Sequence, residues 1–237
     1  MTATARKLTA EAFGAFALVF CGTAAIVIDA QSGAVTHVGV AITFGLIVFA
    51  MISAVGDISG AHLNPAVTLG FWFARRIERR LVLPFILSQS AGAVLASVVV
   101  RILFPLGGSL GATLPSGTAG QSFLLELLMT TALMFVILNV STGAKEKGLT
   151  AGLAIGAVVG MEALFGGPIS GASMNPARSL APALVSGTFT GLWIYLIAPP
   201  LGALLAVLAC RAVRSDCCIA CTACVPEQNV VTLGARS

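Results

Sequence analysis

Charged residues are scarce in this chain of 237 amino acids, of which they make up only 9%. Soluble domains carry roughly 25% charged residues, and a chain with so few cannot cover its folded surface with polar groups. Hydrophobic residues make up 57%, and the mean hydropathy is +1.00. The composition therefore excludes a water-soluble globular protein and predicts that most of the exterior faces lipid.

Six apolar segments are long enough to cross a hydrocarbon core of roughly 30 Å. They cover approximately residues 8–28, 35–55, 82–104, 121–141, 149–167 and 188–210. Two further apolar stretches, 64–73 and 175–185, are too short to cross, and each begins with Asn-Pro-Ala. We interpret this pair as half-helices.

The Lys and Arg residues lie in four short clusters between the apolar segments. The clusters are Arg6 with Lys7, the arginines Arg75, Arg76, Arg79 and Arg80, Lys145 with Lys147, and Arg211 with Arg214. With six spans, all four clusters fall on one side of the membrane, which the positive-inside rule places in the cytoplasm. We therefore expect both termini to be cytoplasmic. The clustering indicates membrane topology rather than a nucleic-acid-binding face, so we expect no nucleic-acid partner.

An internal repeat organises the chain. The segment 59–70, SGAHLNPAVTLG, reappears as SGASMNPARSLA at 170–181, with seven of twelve positions identical. Each copy also carries a lone carboxylate in its first span, Glu11 in one and Glu126 in the other. Three spans separate the copies, and because three is odd, the second copy enters the membrane upside down relative to the first.

These features predict an all-α membrane protein with six transmembrane helices and two re-entrant half-helices in an inverted repeat. We place the membrane domain at residues 1–211, with the two copies at about 8–105 and 121–211. Residues 212–237 then form a cysteine-rich tail, which we expect to be cytoplasmic.

The Asn-Pro pairs predict where the half-helices begin, because Asn caps a first turn and Pro at the first helical position gives up no available hydrogen bond. Two half-helices from opposite faces would meet near the midplane with their N-termini at Asn64 and Asn175. The unpaired N–H groups and about half a positive charge at each N-terminus oppose cations there. We expect the approaches 56–63 and 166–174 to be non-helical and to line a wet path, because their carbonyl groups cannot face lipid.

The two boxes and the inverted halves resemble the aquaporin or major intrinsic protein family. The boxes are Asn64-Pro65-Ala66 and Asn175-Pro176-Ala177, the second continued by Arg178, and the resemblance covers about residues 8–211. The stretch GPISGASM at 167–174 is similar to the nodulin-26-like branch and its bacterial relatives. The resemblance implies an aquaporin-like fold and a passive channel of an inner or plasma membrane, not an enzyme. It also implies no cofactor and a homotetramer with one pore per subunit.

The resemblance further implies a narrow filter toward the outer face, formed by Phe44, Ala163, Ala172 and Arg178. Arg178 is the only charge within the second short helix, and a guanidinium in a membrane segment is costly unless it faces water. Strict water channels of the family usually have His where Ala163 stands. Two methyl groups in the ring should make the opening wider and partly apolar. We expect water, glycerol or urea, and neutral metalloid acids such as arsenite to pass, while ions and protons are excluded.

Two other functions fit some of the same residues. An ordinary water-selective aquaporin would share both boxes, and a proton-coupled secondary transporter could use Glu11, Glu126 or Glu162. The family resemblance instead implies that Glu11 and Glu126 accept hydrogen bonds from backbone N–H groups of the dipping loops. Glu162, beside Ala163, either tunes the filter or pairs with a backbone donor.

Four of the six cysteines lie close together in the tail, at Cys217, Cys218, Cys221 and Cys224. The spacing imitates part of an iron–sulfur run but lacks the fourth ligand at its usual distance. Clustered thiolates would suit a soft ligand such as Zn²⁺ or As(III), whereas S-acylation near the membrane or a tail without a ligand are the alternatives. We assign no metal site from this pattern.

Overall fold

The computed structural model describes residues 1–141 and 149–214. In these ranges the chain forms eight helices and no strand. They are α1 (Ala3–Ser32), α2 (Thr36–Ser59), α3 (Pro65–Phe73), α4 (Arg79–Leu103), α5 (Ala119–Val140), α6 (Leu149–Ser170), α7 (Pro176–Ser186) and α8 (Leu192–Val213). The basic pair Lys145 and Lys147 and the cysteines of the tail lie outside the described residues.

Six of the helices are long and apolar enough to cross a membrane, namely α1, α2, α4, α5, α6 and α8. The other two, α3 and α7, have 9 and 11 residues, which at 1.5 Å per residue reach about halfway through the hydrocarbon core. The prediction of an all-α fold with six spanning helices and two half-helices is confirmed.

Both half-helices begin at the Asn-Pro pairs. Asn64 caps α3 by accepting a hydrogen bond from the N–H of Ala66 at 2.8 Å, and Pro65 is the first helical residue. Asn175 caps α7 in the same way through the N–H of Ala177 at 3.0 Å. A side-chain acceptor and a proline that needs no donor therefore fix both starts locally.

The expectation that residues 56–63 and 166–174 are non-helical is wrong for about half of their length. Helix α2 continues to Ser59 and α6 to Ser170, so only about four residues precede each box outside a helix. Pro168 lies inside α6, where its missing N–H leaves the carbonyl of Leu164 without its usual helical donor. The ring nitrogen Nε2 of His37 lies 2.7 Å from that carbonyl and replaces the donor. A contact from α2 thus lets α6 run past its proline.

The two halves pack against each other mainly through α2 and α6. A Cβ atom added at Gly45 would lie 2.7 Å from the carbonyl oxygen of Gly156, and one added at Gly156 would lie 2.5 Å from the carbonyl oxygen of Gly45. The reciprocal contact shows that the two backbones meet directly, which only glycine permits. Gly152, Gly156 and Gly160, which are spaced by four residues in α6, therefore allow close packing against α2.

Candidate functional site

The two half-helices meet at their N-termini. The asparagine of each Asn-Pro-Ala box donates a hydrogen bond to the residue that precedes the other box. Asn64 donates from Nδ2 to the carbonyl of Met174 at 2.8 Å, and Asn175 donates from Nδ2 to the carbonyl of Leu63 at 3.0 Å. Leu63 and Met174 both have a φ of 52°, in the left-handed region that side chains other than glycine rarely adopt. The reciprocal bonds hold two strained residues in place, as is common at functional sites.

Glu11, which is fully buried in α1, fastens the first approach. Its Oε1 accepts hydrogen bonds from Ser59 Oγ at 2.6 Å and from the N–H of His62 at 2.9 Å. Its Oε2 accepts from the N–H of Leu63 and from Gln89 Nε2, both at 2.7 Å. Four donors therefore surround one carboxylate, which offsets the cost of burying its charge.

Glu126, fully buried in α5, makes the corresponding contacts in the second half. Its Oε1 accepts from Ser170 Oγ at 2.7 Å and from the N–H of Ser173 at 2.8 Å, while Oε2 accepts from the N–H of Met174 at 2.7 Å. Both carboxylates thus bind the backbone just before the boxes. A proton carrier needs freedom to exchange its partners, whereas both groups accept hydrogen bonds from fixed donors of the fold.

Two cavities lie between the helices and share part of their lining. The larger, of about 970 Å³, is lined by both Asn64 and Asn175 and extends to Lys7 near the start of α1. The smaller, of about 320 Å³, is lined by Asp29 near the end of α1 and by His37. Because Lys7 and Asp29 lie near opposite ends of one spanning helix, the cavities lie toward opposite faces of the membrane.

The four residues expected to form the filter lie where the two cavities adjoin. Phe44 and Arg178 line both cavities, Ala163 lines the smaller one and Ala172 lines the larger one. The guanidinium carbon of Arg178 stands 5.2 Å from the centroid of the Phe44 ring. The lining where the cavities adjoin therefore includes an aromatic ring, a cation and two methyl groups.

Arg178 is 1% exposed and is held by the loop between α4 and α5. Its Nη1 donates to the carbonyl of Gly111 at 2.8 Å, whereas its Nε has no hydrogen-bond partner within residues 1–141 and 149–214. The same loop places Thr113 Oγ1 2.8 Å from Ser179 Oγ, one residue further along α7. Sequence reasoning missed Gly111 and Thr113, because they lie in neither the repeat nor an apolar span.

Asp57 and His62 both line the larger cavity, toward the end that carries Lys7. His62 is held by Thr68, whose Oγ1 lies 3.1 Å from its Nδ1, and it stacks on Phe71 with ring centroids 4.5 Å apart. Asp57 is exposed at this mouth. The two residues therefore line the same cavity but differ in environment, since His62 is fixed by packing and Asp57 faces solvent.

Comparison with known sequences identifies the architecture. The sequence profile of the family described as Major intrinsic protein matches residues 1–210. The chain belongs to this family. Relatives within the major intrinsic proteins include Aquaporin NIP1-4 of Oryza sativa subsp. japonica, 48% identical over 84% of this chain and 73% of the relative. Nodulin-26 of Glycine max is 44% identical over 84% of this chain and 74% of its own length.

A solved structure shows the same fold. The aquaglyceroporin from Plasmodium falciparum superimposes with a TM-score of 0.81 over 90% of this chain and 98% of that chain, at 23% identity. The resemblance to the nodulin-26-like branch is thereby confirmed by the sequence relatives, and the fold by this structure. As a major intrinsic protein, the chain is a multi-pass membrane channel for small neutral solutes and not an enzyme.

Proposed function

We propose that this channel conducts water, glycerol, urea and neutral metalloid acids such as arsenite, and that it excludes ions and protons. The observation that carries the proposal is the pair of alanines at the junction of the two cavities. Ala163 and Ala172 present only methyl groups to the cavities that Phe44 and Arg178 also line. A ring with two small apolar members admits a solute with a carbon or metalloid centre, while the guanidinium provides donors for its hydroxyl groups.

The polar side of the junction supports selection for uncharged solutes. Arg178 places a buried cation beside both cavities, and it spends one donor on Gly111 while its Nε stays unpartnered within the described residues. A cation entering the junction meets this charge, which at an effective dielectric constant of 20 and about 5 Å corresponds to roughly 3 kcal/mol of repulsion. The positive N-termini of α3 and α7 lie next along the larger cavity and act in the same sense.

We further propose that the protein resides in an inner or plasma membrane with both termini in the cytoplasm and assembles as a homotetramer. The clustering of Lys and Arg on one side of the six spans supports the orientation, and membership of the major intrinsic protein family supports the tetramer. In this arrangement residues 1–211 form the channel domain, and the tail 212–237, with its four clustered cysteines, lies on the cytoplasmic side.

Liposome flux of the purified protein tests the proposed solutes. Water, glycerol, urea and arsenite fluxes are compared between wild type and Ala163→His, which places an imidazole where the methyl group lines the smaller cavity. We expect the variant to lose about tenfold or more of its glycerol, urea and arsenite flux and much less of its water flux, because a larger side chain narrows the ring.

The matched control is Ala24→Ser, a change at a buried alanine of α1 that lines neither cavity. Equal losses of all four solutes in Ala163→His would contradict the assignment of the filter. Absence of glycerol, urea and arsenite flux in the wild type would instead indicate the water-selective alternative.

A further inference from the structure

The carbonyl group of Leu164 directly follows Ala163 of the proposed filter and has no helical donor, because Pro168 lacks an N–H. Within the described residues its hydrogen-bond partner is the ring nitrogen Nε2 of His37, at 2.7 Å. His37 is the second residue of α2, so the bond joins one copy of the repeat to the other. It holds the turn of α6 that carries Ala163.

The inverted repeat shows why this turn needs a donor from another helix. Pro168 lies two residues before Ser170, and the corresponding residue of the first copy is Asp57, two residues before Ser59. Asp57 lies within α2 and keeps its N–H, so the first copy has an ordinary helical donor at this position. A proline removes that donor and places its ring against the carbonyl group. The second copy therefore depends on a contact that the first does not need.

The ring of His37 is seated on α6 at a glycine. A Cβ atom added at Gly167 would lie 2.8 Å from Cε1 of His37, so a larger residue there would displace the ring. The start of α2 is fixed as well, since the N–H of Thr36 donates to Asp29 Oδ1 at 2.6 Å. Thr36 has a φ of 62°, which this contact from α1 helps to hold. The glycine and the carboxylate thus fix where the ring lies.

The other side chains that bind the end of α6 act further along the helix. Ser116 Oγ donates to the carbonyl of Pro168 at 2.8 Å, and the hydroxyl group of Tyr195 donates to the carbonyl of Ser170 at 2.6 Å. Both carbonyls lie at least one helical turn beyond Leu164. These contacts hold the end of the helix but do not replace the missing donor.

Glu162 is a polar side chain on the same turn, directly before Ala163. It is only 2% exposed, and its Oε2 has no hydrogen-bond partner within residues 1–141 and 149–214. The pairing with a backbone donor that the sequence left open is therefore not found for this oxygen. Glu162 does not hold the turn, which leaves this role to His37.

The smaller cavity connects this contact to permeation. Its lining includes His37, Gly167, Ala163 and Arg178. Because Leu164 follows Ala163 directly, a shift of the peptide group between them also moves the methyl group that faces the cavity. The ring and the methyl group therefore belong to one wall.

We propose that His37 is a positioning residue of the filter. It replaces the donor that Pro168 removes, fixes Ala163 in the wall of the smaller cavity, and thereby sets the selectivity between water and larger neutral solutes. His37 acts through the backbone of α6. The inference rests on the filter of the proposed function, whereas the hydrogen bond itself is testable without any solute.

Nitrogen-15 NMR of the histidine-labelled full chain in liposomes tests the hydrogen bond. A carbonyl oxygen only accepts, so the proposal requires a hydrogen on Nε2 of His37. The chain has two histidines, and His37→Gln assigns their signals. We expect Nε2 of His37 to be protonated and hydrogen-bonded. An unprotonated Nε2 would overturn the proposal, because the ring would then have no hydrogen to donate to Leu164.

Water and glycerol fluxes through liposomes test the effect on the filter. Glutamine donates from an amide, whereas leucine fills space without a donor. We expect His37→Leu to lower the ratio of glycerol to water flux by about fivefold, as expected for one lost hydrogen bond. His37→Gln should keep the ratio within about twofold of the wild type. A wild-type ratio in His37→Leu, or the same loss in His37→Gln, would overturn the proposal.

A double-mutant cycle with Pro168→Ala separates the donor from the bulk of the ring. Alanine returns a helical N–H to the Leu164 carbonyl, so in this background His37→Leu should change the flux ratio by less than about twofold. The same fivefold loss in both backgrounds would overturn the proposal, because the ring would then act by filling space. If a leucine variant or Pro168→Ala does not fold, the NMR result and His37→Gln remain decisive.

Ser116→Ala is the matched control. It removes another hydrogen bond to α6, from a residue that lines neither cavity, and should leave the flux ratio within about twofold of the wild type. A loss as large as that of His37→Leu would overturn the specific role of His37. If the wild type passes no glycerol, the proposed range of solutes fails. The same variants are then compared by water flux, with the same losses expected.

Discussion

The two halves of the molecule share a scaffold but not the groups that face the pore. In each half a buried glutamate binds a serine and two backbone N–H groups before the box. Three residues after each box asparagine, however, the first half has Val67 and the second has Arg178. The symmetric contacts build the fold, whereas the discrimination between solutes that we propose depends on residues that break the symmetry.

The space behind each half-helix is also filled differently. In the first half the ring of His62 stacks on Phe71 and reaches Thr68. In the second half Ser173 takes the position of His62 and has no ring to stack. Its Oγ lies 2.5 Å from Ser179 Oγ. Thr113, in the loop between α4 and α5, also donates to Ser179 Oγ. One half is thus completed by its own ring, and the other by a loop that connects the two halves.

Removal of the buried glutamates should have the largest effect. Glu11→Leu and Glu126→Leu each leave several donors without a partner, at about 1–3 kcal/mol per donor. We expect both to lower the thermal unfolding midpoint of the purified protein strongly, or to prevent its folding. Because Glu11 accepts four hydrogen bonds from the described residues and Glu126 accepts three, the loss should be larger for Glu11→Leu. Glu78→Leu, which removes an exposed ion pair, should change stability by less than about 1 kcal/mol.

Equal losses in Glu126→Leu and Glu11→Leu would contradict this expectation and would indicate a fourth donor to Glu126. This comparison uses the repeat itself as the reference, because both glutamates are fully buried and bind equivalent backbone groups. It therefore sharpens the difference between the halves without reference to any solute.

Arg178→Val makes the second half resemble the first at the position of Val67 and should have the next largest effect. Removal of a buried cation that lines both cavities should increase proton and cation leak through liposomes by about a hundredfold, which corresponds to roughly 3 kcal/mol of lost barrier. The control is Arg79→Val, since Arg79 is exposed and lines neither cavity. An ion-tight Arg178→Val channel would show that the half-helix N-termini suffice as the barrier.

Thr113→Val should have the smallest effect of the series. The variant removes one hydroxyl donor to Ser179 but keeps the shape of the side chain. We expect a loss of about 1 kcal/mol in the free energy of unfolding and little change in water flux. A proton and cation leak comparable to that of Arg178→Val would indicate that the loop between α4 and α5 controls the position of Arg178, through Gly111, more strongly than its single hydrogen bond indicates.

The spanning helices and the starts of the half-helices could be predicted because their signals are local. A run of apolar residues needs only its own length to cross lipid, and Asn64 and Asn175 cap the helices that directly follow them. The ends of α2 and α6 could not be predicted in this way. Pro168 and several glycines indicated a non-helical segment before the second box. However, His37 from another helix donates to the Leu164 carbonyl, which Pro168 leaves without its helical donor.

The candidate site shows the same division. The positions of Phe44, Ala163, Ala172 and Arg178 came from family resemblance, and the structure places them at the junction of two cavities. The carbonyl of Gly111, which binds Arg178 at 2.8 Å, lies 67 residues away along the chain. A backbone oxygen carries no residue-specific signal, so sequence alone offers no means to find it.

The sequence by itself determined that this is a membrane protein, that it consists of two oppositely inserted copies of one repeat, and that two short helices start at Asn-Pro. The first follows from hydropathy, the second from the odd number of spans between the copies, and the third from helix capping. Each can be read from neighbouring residues or from the number of spans. Only the tertiary structure decided the reciprocal bonds between the two boxes, the loop that holds Arg178, and the contrast between the saturated Glu11 and the incompletely matched Glu126. Those features depend on groups far apart in sequence, whose distances are set by packing.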